Sequence, residues 1–141
     1  LAVGMFAQTS ISKRQRQSAV MSAAILVMFR EMCEVYRPHE KNIGRKIQEL
    51  FVLLAIRLQD GSRRTKPLST RQISRMTNLP RSNVQRVLQR LAHERLIVKT
   101  DEGYEGDDNY LLANLEARYH RRIMGTFLGA ANQLRRLQKK D

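Results

Sequence analysis

The sequence predicts a mainly α-helical protein carrying one small β-hairpin, and three features carry that expectation. Apolar residues recur at spacings of three and four over most of the chain, a stretch after Arg95 turns β-branched and then turn-rich, and capping signals separate the helical runs. The 141 residues, 42% of them hydrophobic, suit one compact domain over residues 1–141 with a modest core.

The first helix is expected over residues 12–36, where Met21, Ile25, Met28, Phe29, Met32 and Tyr36 form an apolar stripe that Pro38 ends. After the loop "RPHEKN", Ile47, Leu50, Phe51, Leu54 and Leu58 form a second stripe, and Val52, Leu53, Ala55 and Ile56 fill much of the other side. A helix apolar nearly all round belongs at the centre of a fold, and Gly61 is its expected stop. "DGSRRTKP" reads as a loop closed by Pro67. Ser69 and Gln72 form a capping box for a short helix with Ile73 and Met76 facing inward, and "TNLP" interrupts it. The next helix starts at Arg81 with Val84, Val87, Leu88 and Leu91 as its buried stripe, so two short helices meet at a tight turn. Then "LIVKT", a longish loop "DEGYEGDD" and "NYLLAN" predict the hairpin. Asn114 is the expected cap, with Glu116 in the first turn, of a last helix over residues 115–138 striped by Tyr119, Ile123, Phe127, Ala131 and Leu134.

Charge separates one part of this plan from the rest. Lys plus Arg number 26 against 13 Asp plus Glu, a formal net charge of +13, which favours a polyanionic partner, nucleic acid ahead of an anionic membrane surface. Residues 61–100 hold 10 basic groups and one acid, Glu94, whereas residues 101–141 are balanced. With Ser82 at zero on a helical wheel, the apolar set of the Arg81 helix centres near roughly 190°. Ser82, Arg86 and Gln89 lie within about 40° of the opposite midline, flanked by Asn83, Gln85 and Arg90. Arg pairs with guanine, and Asn or Gln with adenine, through two hydrogen bonds to base edges in a major groove. The exclusion of carboxylates is what a surface facing phosphates requires; the competing reading is a solvated arginine-rich face.

The order of helices, with "LPRSNVQRVLQRL", "HERLIVK" and a hairpin, resembles the winged helix-turn-helix of bacterial transcription regulators. With a long helix before and after it, the chain is similar to the MarR family; "LPRSNVQRVLQRL" also resembles the DNA-binding domain of IclR-type regulators, whose large effector domain has no room here. The resemblance implies a winged-helix core over residues 45–113, dimerisation helices over 12–36 and 115–138, and a homodimeric repressor of transcription, often released by a small-molecule effector. It makes Arg81–Glu94 the recognition helix, with Ser82, Asn83, Gln85, Arg86 and Arg90 facing bases or nearby phosphates and Ser69 and Arg71 holding the DNA backbone; Arg81 and Gln89 complete the candidate set. One departure stands out: the family's wing carries an Arg near its tip, whereas Asn109 here follows Asp101, Glu102, Glu105, Asp107 and Asp108. Such a loop is expected to stay off DNA, to pair with Arg on a partner subunit, or to serve another protein.

Weaker signals complete the reading. The terminal helices need a second layer for their stripes, supplied by a twofold dimer that sets the recognition helices roughly 34 Å apart or by folding back on their own domain. Gly125 and Gly129 suggest close helix approach. Met21, Met28 and Met32 suit core packing or an apolar effector pocket. Cys33, the only cysteine, permits no intrachain disulfide and reads as a buried structural residue or a thiol sensor. The run Ala23–Phe29 is too short to span a bilayer, and Arg30, Glu31 and Glu34 occupy the place of a cleavage site, so a soluble, cytoplasmic protein is expected; Leu1 leaves the true start open. His39, His93 and His120 lack ligand spacing, and no phosphate loop or nucleophile elbow occurs. The expectation is double-stranded DNA as partner, no membrane, no metal, no cofactor and no enzymatic activity. The rivals are a winged helix that docks proteins through its acidic loop and a basic membrane-surface protein.

Overall fold

Helix α1 (Lys13–Tyr36) opens on a reciprocal cap that the sequence reading overlooked. Ser12 Oγ accepts from the Gln15 amide at 3.1 Å, and Gln15 Oε1 accepts from the Ser12 amide at 2.9 Å. The computed structural model describes residues 12–60, 66–107 and 117–139. Beyond α1 lie α2 (Ile43–Asp60), α3 (Thr70–Thr77), α4 (Arg81–His93), β1 (Ile97–Thr100), β2 (Gly103–Gly106) and α5 (Ala117–Lys139). The fold is mainly helical, with an antiparallel two-stranded hairpin after the helix pair α3 and α4, the arrangement of a winged helix-turn-helix. Two compact units emerge, one of α5 with α1 up to Glu31, the other running from Met32 through β2. The Gly61 stop, the Asn109–Asn114 strand, the Asn114 cap with Glu116, and the Tyr119 side chain lie outside the described residues.

In the second unit α2 is the hub, packing against α3, α4 and β2. Its buried side is Glu49, Leu50, Val52, Leu53, Ala55 and Ile56, joined by Ile73 of α3, Val84, Val87, Leu88 and Leu91 of α4, Ile97 of β1 and Leu68. This corrects the expected stripe: Ile47 and Leu58 are exposed, while Phe51 and Leu54 are half-buried. The period of 3.6 leaves a helix apolar all round with several equivalent stripes, so only the neighbours choose between them. Met76, expected inward, is likewise exposed and lines an apolar groove with Phe51, Leu54 and Leu58. The buried stripe of α4 is as expected. Truncating Leu88 or Leu91 to Ala in so full a core costs about 2–5 kcal/mol.

The hairpin departs from the sequence reading. β2 forms inside "DEGYEGDD", the stretch expected to be a loop, because Asp101 and Glu102 alone reverse the chain and Gly103 adopts φ 147°. Thr100 Oγ1 closes the turn, donating to the Gly103 carbonyl at 3.0 Å and accepting from the Glu102 amide at 3.3 Å. Leu68 adds an antiparallel bridge to β2: its amide donates to the Tyr104 carbonyl at 2.8 Å, and the Tyr104 amide donates to the Leu68 carbonyl at 2.7 Å.

In the first unit α1 and α5 run antiparallel. Lys13 Nζ donates to the Gln138 carbonyl at 3.2 Å near one end, and Arg122 pairs with Glu31 at 2.9 Å near the other. On α5 the half-buried residues are Ile123, Thr126, Ala130, Leu134 and Leu137, whereas Phe127 and Ala131, expected in the buried stripe, are exposed. No helix among the described residues is long and apolar enough to cross a membrane.

Candidate nucleic-acid interface

The turn between α3 and α4 is held by its own side chains. Asn78 ends α3 in the left-handed conformation (φ 58°), which Asn tolerates better than most residues. Thr77 Oγ1 donates to the Ile73 carbonyl at 2.8 Å and accepts from the Leu79 amide at 3.3 Å, and Ser74 Oγ donates to the Leu79 carbonyl at 2.6 Å. Pro80 then precedes α4, whose first turn has no side-chain cap. Pro80 has no N–H, so the helix opens on three orphan backbone N–H groups, those of Arg81, Ser82 and Asn83. At the start of α3 the capping box is complete: Ser69 Oγ accepts from the Gln72 amide at 3.2 Å, and Gln72 Oε1 accepts from the Ser69 amide at 2.8 Å. The Ser69 hydroxyl proton and the exposed Arg71 guanidinium both remain suited to a phosphate.

Along α4, Arg81, Ser82, Gln85, Arg86 and Gln89 are exposed on the side opposite the buried Val84, Val87, Leu88 and Leu91. No carboxylate interrupts that side. Arg86 is oriented by its neighbour, its Nη2 donating to Asn83 Oδ1 at 3.0 Å. Asn83 is half-buried and its Oδ1 accepts from Arg86, so it props that guanidinium while its own amide N–H groups stay available to a ligand.

Arg90, one turn further on, faces a carboxylate. Its Nε is buried and lies 3.4 Å from Glu49 Oε1, an ion pair without hydrogen-bond geometry, so the guanidinium is drawn toward the core. The cause is a fully buried carboxylate. Glu49 Oε2 accepts from Arg37 Nε at 2.5 Å, and Arg37 Nη1 donates to Glu94 Oε2 at 2.5 Å. Burial works to lower the Arg37 pKa, but hydrogen bonds and charge from Glu94 and Glu49 outweigh it, so the net shift is upward and the group stays charged. Sequence reading missed this network. One acid among the apolar residues of α2 was its signal, since a buried carboxylate demands a partner.

The hairpin and α4 border an open groove lined by Ser69, Thr70, Gln85, Gln89, Lys99 and Asp101. Lys99, not foreseen as a site residue, is exposed there beside the two glutamines. The acids are dispersed, contrary to the expectation of five on one loop: Asp101 and Glu102 form the tip, Glu105 pairs across from Val98, Asp107 follows the strand, and Asp108 lies outside the described residues.

Residues 43–106 match the model of the MarR family, from the first residue of α2 to the last of β2. No curated protein and no solved structure matches the chain.

Proposed function

We propose that the segment similar to the MarR family reads duplex DNA with α4 as recognition helix, in a homodimeric transcriptional repressor joined through α1 and α5. The observation that carries this reading is the acid-free outer side of α4, with Arg81, Ser82, Gln85, Arg86 and Gln89 exposed and the opposite side locked in the core. Arg86 is the principal base reader: Asn83 orients its guanidinium while the remaining N–H groups are free to pair with guanine O6 and N7. Ser69 and Arg71 hold phosphates on one flank, and Lys99 does so from the groove beside the hairpin. The acidic tip at Asp101 and Glu102 keeps the end of the hairpin off the phosphates.

Selection of bound sequences from a random duplex pool tests this reading and should return a pseudo-palindrome with half-sites about one DNA turn apart. On the selected site Arg86→Ala should weaken binding by about 1–3 kcal/mol and relax preference at one base pair, whereas Arg71→Ala should weaken all sequences alike. Affinity for random duplex should fall steeply with salt. Duplex binding that is absent at low salt would leave the hairpin tip, as a protein-docking element, the better account.

A further inference from the structure

Glu49 has no solvent exposure, yet it carries a charge balanced by two guanidiniums, Arg37 on Oε2 and Arg90 facing Oε1. Arg37, itself buried, reaches on to Glu94. The chain Arg90, Glu49, Arg37, Glu94 therefore leaves α4 and returns to it four residues later, where the Glu94 amide closes the helix on the Arg90 carbonyl at 3.0 Å. It passes through α2 and through the residue that follows α1. Next to Arg37, Tyr36 is buried with the Arg57 guanidinium 5.8 Å from its ring centre, so α2 grips this segment twice.

Apolar residues of similar volume would serve stability as well or better, because the desolvation of buried ions offsets most of their attraction. What they would not supply is direction. Hydrophobic contact is non-directional and fixes the rotation of α4 only to within the width of its apolar stripe, whereas a forked guanidinium holds two carboxylates at fixed distances and angles. Resting on the DNA reading above, we infer that Arg37 and Glu49 are positioning residues for sequence readout, setting the rotation and tilt of α4 through its last turn without touching DNA. Arg90 belongs to this device by its Nε.

The experiment compares wild type with two variants for the ratio of affinity on the selected site to affinity on random duplex, at one salt concentration, alongside thermal melting. Glu94→Ala removes a negative charge near DNA, so affinity for random duplex should hold or rise; the selected-to-random ratio should nonetheless fall by about 2- to 30-fold. A purely electrostatic role would raise both affinities and leave the ratio unchanged. Arg37→Met combined with Glu49→Leu should melt no lower than wild type and lose the ratio to a similar extent; if it does not fold, Glu94→Ala decides alone. A wild-type ratio well above one that the folded variants keep within about twofold overturns this inference and leaves the DNA reading standing. A wild-type ratio of one overturns both.

Discussion

Arg86 and Arg90 are one turn apart on one helix and are put to opposite uses. Arg86 lies outward on Asn83, and Arg90 bends toward Glu49; the difference is the distance to a buried carboxylate, not the residue type. Cys33 illustrates the same dependence on surroundings. It is buried, and burial raises its thiol pKa, with Lys46 opposing and Glu34 adding to the rise. A raised folded value means that the native thiol keeps its proton, so its contribution to stability is complete below the ordinary thiol range and fades as pH climbs through the folded value. Iodoacetamide at pH 8 should therefore label native Cys33 more than about tenfold slower than the unfolded chain, followed by mass spectrometry. Equal rates would place the thiol in water and reopen its use as a sensor.

Among the elements, the hairpin depends most on a single backbone angle. A Cβ at Gly103 would meet the Leu68 carbonyl oxygen at 2.4 Å, and φ 147° is strained for any side chain. Gly103→Ala should cost at least about 1–3 kcal/mol in urea denaturation, and the Leu68 and Tyr104 amides should exchange faster. Wild-type stability would show that the bridge between Leu68 and Tyr104 is dispensable. The loss should also reach the groove, because Lys99 is presented by the strand opposite Tyr104.

In the molecule as a whole, both terminal helices present large apolar side chains to solvent among the described residues. Met21, Ile25 and Leu26 on α1 and Met124, Phe127 and Leu128 on α5 are exposed. A side chain added at Gly125 or Gly129 meets no atom within 4 Å among the described residues, so no packing among those residues accounts for these glycines. In an isolated chain each Gly→Ala change should raise helix stability by about 0.5–1 kcal/mol. If a second copy approaches closely there, as the proposed dimer suggests, Gly125→Ala with Gly129→Ala should weaken self-association in sedimentation equilibrium. Unchanged association would remove both glycines from the interface.

Much of this architecture was legible from residue order because its signals are local. Three-and-four spacing marked α1, α2, α4 and α5, the Ser69 and Gln72 pair marked the start of α3, and the stripe of α4 named its outward side, since each signal acts within a turn or two of chain. The inward face of α2, the two-residue reversal before Gly103 and the fate of Arg90 were not legible. Each hangs on atoms remote in sequence: Arg37 meets Glu49 across 12 residues and Glu94 across 57, and Leu68 closes on Tyr104 across the helix pair. Side-chain periodicity states that a helix has a dry side, but burial of one charge and the partners it demands are properties of the packed chain.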